Sequence, residues 1–160
     1  MFSSSLQPVN WSLYSIPTVY ALGLLPQAYA LLKMTASSGG QWTNVQPRQN
    51  FDALKGKVPQ EVWNRCFRAR GAHINALESF PLFAAAMIAG NVVKLPAQEL
   101  NTIAAEYIGA RVLYTLLYIG VRSEPLSFVR TGVWYWSIGI PMWSLYKAGK
   151  ALNNVDRVAV

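Results

Sequence analysis

The sequence predicts an all-α integral membrane protein: a bundle of four transmembrane helices, with residues 1–160 forming a single domain. Three observations predict it. Apolar residues make up 52% of the chain and charged residues only 13%, against about 25% charged in ordinary soluble domains. Apolar blocks of about 20 residues recur, the length needed to cross a bilayer as a helix. The charges gather between those blocks, as in loops that flank a membrane.

The first helix is expected over residues 11–33. Trp11 to Leu32 holds no charged residue, and Lys33 closes the run. It contains Pro17 and Pro26, which membrane helices accommodate better than soluble ones. Tyr14, Tyr20 and Tyr29 suit interfacial anchors. Nothing basic precedes Trp11, so the block reads as a retained anchor, not a signal peptide. Thr35 to Pro59 is expected as a polar connection, flexible at Ser37-Ser38-Gly39-Gly40 and turn-like from Trp42 to Arg48.

The second helix is expected over 60–93, polar at first and apolar from Gly71 to Val93. Asn91, Lys94 and Pro96 end it. The third, 99–121, carries Glu106 and Arg111. The fourth, 126–147, carries Trp134, Trp136 and Trp143. Its uncharged part, Thr131 to Tyr146, is short, so Arg130 and Lys147 must snorkel for it to span. The tail from Lys147 to Val160 is expected to be interfacial or disordered.

Net charge is +7, but the basic residues lie in connections and not on a nucleic-acid-binding face. The first connection and the polar start of the second helix hold Arg48, Lys55, Lys57, Arg65, Arg68 and Arg70. The third connection adds Arg122 and Arg130. By the positive-inside rule, the first and third connections face the cytoplasm and both termini lie on the other side. A single Cys (Cys66) and a single His (His73) exclude an internal disulfide and argue against an all-protein metal site.

The informative residues are the polar ones inside apolar helices, because charges there cost several kcal/mol and mark interior or functional positions. Arg68, Asn75 and Glu78 share one face of the second helix. Arg111, Tyr114 and Tyr118 share one face of the third. A buried Arg needs a carboxylate, and Glu78 is the expected partner of Arg111. Arg68 or Arg70, Asn75, Glu78, Arg111, Tyr114 and Tyr118 would line a polar cavity at the cytoplasmic end. Such a cavity suits a ligand rich in carboxylate and amide groups: Arg grips carboxylates, Glu an amine, and Tyr donates a hydroxyl. His73 reads as a packing residue, Cys66 as an inert thiol, and the Trp residues of the fourth helix as an interfacial belt.

The run Arg68-Ala69-Arg70-Gly71-Ala72-His73-Ile74-Asn75-Ala76-Leu77-Glu78-Ser79-Phe80-Pro81 resembles the second-helix signature of the MAPEG family, membrane-associated proteins in eicosanoid and glutathione metabolism. Ala110 to Tyr118 and the Asn44 to Arg48 turn are similar to it as well. The resemblance implies a homotrimer of four-helix subunits in an intracellular membrane such as the endoplasmic reticulum, or in the inner membrane of a bacterium. It implies glutathione as cosubstrate, bound facing the cytoplasm between subunits by Asn75, Glu78, Arg111, Tyr114 and Tyr118. Two positions depart from the family pattern. Gly71 stands four residues before Asn75, where family enzymes carry Arg. Ser127 stands where the thiol-activating Arg is expected. That leaves Tyr118, Ser127, Arg122 and Arg130 as candidate activators.

The function implied is a glutathione transferase or peroxidase acting on lipophilic electrophiles or lipid peroxides. The alternatives are a non-catalytic lipid- or glutathione-binding scaffold of the same fold and a small transporter or channel subunit. The absence of inverted repeats weighs against a transporter.

Overall fold

The computed structural model describes residues 8–158. They form helices and connections, with no strand among the described residues. In chain order these are α1 (Ser15–Ser37), a 3₁₀ turn (Pro47–Gln49), the one-turn α2 (Asn50–Ala53), α3 (Gln60–Val92), α4 (Ala97–Gly120) and α5 (Glu124–Val158). Two of them, α1 and α3, are long and apolar enough to cross a membrane. At 1.5 Å per residue α3 is about 50 Å long, so its charged start, Gln60–Arg70, projects beyond its apolar stretch.

Three elements differ from expectation. Trp11–Tyr14 is a turn leading into α1, with the Ser15 amide donating to the Trp11 carbonyl. At the other end α1 runs one turn past Lys33, because Ala30 and Met34 are buried against the first connection. That connection is not simply polar. Phe51, Leu54 and Val58 are buried with Cys66 and Ala69 of α3, so it folds as a cap over one end of the bundle. Asn50 fixes the cap: its buried side chain donates to the Thr43 and Pro47 carbonyls and accepts from the Thr43 amide. Finally, the tail continues as helix through Val158; Ala159 and Val160 lie outside the described residues.

Helix α3 is the hub, packing against α1, α4 and α5. Its buried face is Cys66, Ala69, Ala72, Ser79, Phe83, Ala86 and Gly90, the three-and-four spacing of one helical stripe. Small residues bring the helices close. A Cβ on Gly23 of α1 would stand 3.1 Å from the Ala76 Cβ. His73 Nδ1 lies 2.8 Å from the Gly23 carbonyl, tying α3 to α1. Against α4, the Phe83 and Tyr107 rings stack at 4.3 Å, and the Tyr107 hydroxyl donates to Ser79 Oγ.

The two ends differ in chemistry. At one, Asn10, Ser12, Asn91 and Asn101 form a polar staple joining the segment before α1 to the last turn of α3 and the start of α4. At the other, the start of α3, just past the first connection, is joined to the α4–α5 connection by an ion pair between Glu61 and Arg122 at 2.9 Å. Both basic connections therefore occupy one end. Contacts between α1 and α4 are sparse, which leaves a cleft between them.

Candidate functional site

On a different face of α4 from that cleft, three helices border an open groove of about 260 Å³ lined by Asn75, Tyr114, Tyr118, Arg130, Thr131 and Trp134. Each helix delivers its residues by helical spacing: Tyr114 and Tyr118 four apart on α4, Arg130 and Trp134 four apart on α5. The two Tyr rings meet edge to face at 5.5 Å. The Arg130 guanidinium lies over the Tyr118 ring, 4.6 Å from its centre. It has no carboxylate within ion-pair distance among the described residues. The groove thus offers a cation held by an aromatic face, two phenol rings and a primary amide.

Gly71 explains how Tyr118 reaches this position. A Cβ at residue 71 would stand 2.8 Å from the Tyr118 hydroxyl oxygen and 2.9 Å from Cε1. The ring therefore lies on bare backbone where any side chain would push it away. One turn on, the Asn75 amide donates to the Gly71 carbonyl at 3.0 Å, which sets its rotamer.

The structure separates the remaining expected residues. Arg68 donates to the Ile119 carbonyl at 3.0 Å and fastens α3 to the end of α4. Arg70 lies over the Phe51 ring of the cap, 5.1 Å from its centre. Arg122 is bound to Glu61, away from the groove. Ser127 donates to the Glu124 carbonyl within its own helix start. Its hydroxyl is spent on the backbone, three residues before Arg130.

The expected pairing of Glu78 with Arg111 does not form within one chain. Inward phase on α3 belongs to Ser79, and a step of one residue turns the helix by about 100°, so Glu78 is exposed. Arg111 is buried. Its Nη1 makes a long 3.4 Å contact with Ser137 of α5, its guanidinium lies 4.9 Å from the Tyr114 ring centre, and its Nη2 has no partner among the described residues. It lines the α1–α4 cleft and not this groove, touching the groove only through the Tyr114 ring. Glu106 is exposed as well.

Cys66, outside the apolar stretch of α3, is fully buried in the cap, and burial pushes its thiol pKa up; Lys33 and Arg65 only partly oppose this. It packs in the core of the cap. Sequence reasoning misses Thr131 and Trp134, because the Trp residues of this segment read as an interfacial belt. The four-residue step from Arg130 to Trp134 is the available signal.

The MAPEG family matches this chain over residues 14–149, most of its length. No curated protein and no solved structure matches it.

Proposed function

The chain belongs to the MAPEG family, and from that premise we propose that it is a glutathione-dependent membrane enzyme of transferase or peroxidase type. All four long helices would cross the membrane, with both basic connections cytoplasmic, in a homotrimer. The observation that carries the reading is the α3–α4–α5 groove, where Asn75, Tyr114, Tyr118 and Arg130 converge. Asn75 suits a peptide amide of glutathione, and the phenols suit donors to a carboxylate or a thiolate. Arg130 supplies the positive charge that a thiolate needs. It stands one helical turn beyond Ser127, so the activating charge has moved along α5 instead of disappearing. Thr131 and Trp134 open the groove toward the outer surface of α5, from which a lipophilic electrophile or peroxide dissolved in the bilayer would approach.

The sulfur attacks as thiolate. The groove's task is to hold the tripeptide so that its thiol proton leaves and the resulting negative charge lies against the Arg130 guanidinium. Calorimetry with glutathione, followed by conjugation of a model electrophile in detergent, tests this. Binding and turnover are expected. Arg130→Gln is expected to leave binding within severalfold and to lower turnover by about 10²–10³, the usual effect of deleting one charge-stabilising donor. Absence of glutathione binding would overturn the enzyme reading. Binding without turnover would favour the scaffold reading, to which Ser127 and Gly71 lend weight.

A further inference from the structure

On another face of α4, the sparse contact between α1 and α4 leaves a largely apolar cleft of about 310 Å³. From α1 it takes Val19, Leu22, Pro26 and Tyr29; from α4 it takes Val112, Leu116 and Ile119, with Arg111 as the one charged side chain on an otherwise largely apolar wall and Ala76 of α3 at its floor. Tyr29 also lines a second pocket, of about 200 Å³, with Lys33, Glu61, Val62, Arg65 and Arg122. The two cavities are therefore consecutive. Each facing stripe changes character in the same direction: along α1 from Pro26 through Tyr29 to Lys33, and along α4 from Leu116 through Ile119 to Arg122, just past the helix end.

The second pocket has excess positive charge. Three cations face one carboxylate, Glu61, which is engaged by Arg122. Both members of that pair are well exposed, at 62% and 79%, so the pairing is weak and exchangeable. Lys33 has no carboxylate in ion-pair range among the described residues. The Arg65 guanidinium is held 5.8 Å from the Tyr29 ring centre, at the junction of the two cavities. An apolar cleft ending in two unneutralised cations beside an exposed ion pair matches an amphiphile with an anionic head. Basic pockets between helices at a membrane surface select anionic lipid headgroups in this way.

We propose that the α1–α4 cleft and the basic pocket at its end form one binding site for a single anionic phospholipid, its phosphate held by Lys33, Arg65 and Arg122 and an acyl chain lying between α1 and α4. This site is separate from the α3–α4–α5 groove, shares no lining residue with it, and rests on the membrane reading but not on the glutathione one. It accounts for Arg122 and Lys33, which the groove does not use. The bound chain fills the gap that the helices leave, so the lipid acts as a packing element between α1 and α4.

The test is native mass spectrometry of the full chain released from detergent micelles doped with equal amounts of phosphatidylglycerol and phosphatidylcholine. Wild type is expected to retain one phosphatidylglycerol per chain and to prefer it about tenfold or more over phosphatidylcholine, as two unneutralised cations near the headgroup predict. Lys33→Gln with Arg65→Gln is expected to abolish the preference, and Lys33→Arg with Arg65→Lys to keep it. Leu116→Trp, which fills the cleft, is expected to abolish retention of both lipids. Millimolar glutathione is expected to leave retention unchanged, which separates this site from the groove. No headgroup preference in wild type would overturn the proposal without needing any variant. Complete displacement by inorganic phosphate would reduce the site to an anion pocket and overturn the chain-binding part. Disulfide formation between copies of a Leu116→Cys variant would show a second copy covering the cleft and overturn it entirely.

Discussion

At residue 71 the absence of a side chain is a positive feature. The Tyr118 ring lies against the Gly71 backbone, and a methyl group there would meet its hydroxyl at 2.8 Å. Because the obstacle is the far end of a side chain, the ring can swing away while the helices stay packed. Alanine also favours helix over glycine by about 0.5–1 kcal/mol. Gly71→Ala is therefore expected to hold or raise thermal stability while weakening glutathione binding about fivefold to tenfold, the loss of one or two hydrogen bonds. Calorimetry beside a melting curve checks both signs; a fall in stability with binding intact would contradict it. A companion test concerns the displaced charge. In an Arg130→Gln background, Ser127→Arg is expected to recover part of the lost turnover, because residue 127 lies one turn from the groove on the same side of α5. At this scale helical spacing placed some of the expected side chains and misplaced others. Asn75, Tyr114 and Tyr118 could be placed by three-and-four spacing. Glu78 could not, since Ser79, polar but small, takes the inward position that a charge-first reading gives to its neighbour.

Among the elements, the long helices were legible as segments, because length tolerates local irregularity, although among the described residues only α1 and α3 are also apolar enough to cross a membrane. The first connection was not. Its Ser, Gly, Asn and Gln residues suggest a loose loop, yet Phe51, Leu54 and Val58 recur at intervals of three and four and pack into the bundle end. The polar residue at the centre of the cap, Asn50, is itself buried and satisfies three backbone groups. Asn50→Ala is expected to destabilise the cap by about 1–3 kcal/mol, the cost of leaving buried backbone groups unpaired. Limited proteolysis reads this directly, as new cleavage between Ser38 and Val58 with α3 to α5 protected. Uniform loss of protection along the chain would mean that the cap does not open as a local unit. The tail teaches the same lesson in reverse. Its charges suggest an unstructured end, but Lys147 pairs with Glu99 of α4 and Ala148 is buried, so packing carries the helix past the apolar stretch.

For the molecule as a whole, two charges of its apolar stretches lie apart. Arg111 is buried in the bundle without a carboxylate partner among the described residues, whereas Glu78, in the apolar stretch of α3, is exposed on the surface of the chain. A carboxylate facing hydrocarbon costs several kcal/mol, so an outward Glu78 is sustainable only where another copy, a ligand or water covers it. The proposed homotrimer with glutathione between its subunits supplies such a cover. Glu78→Gln keeps the shape and removes the charge, which makes the sign of its effect diagnostic. If Glu78 faces a ligand amine across a subunit boundary, the variant is expected to bind glutathione about tenfold more weakly, the loss of one charge-assisted hydrogen bond. Its melting temperature should not rise. If Glu78 faces lipid instead, removing the charge stabilises the protein and leaves binding unchanged. Calorimetry and a melting curve on the same detergent preparation, with native mass spectrometry counting the subunits, distinguish the two outcomes. A stabilised variant with intact affinity would move the carboxylate out of the site and remove the main physical argument for placing glutathione between chains.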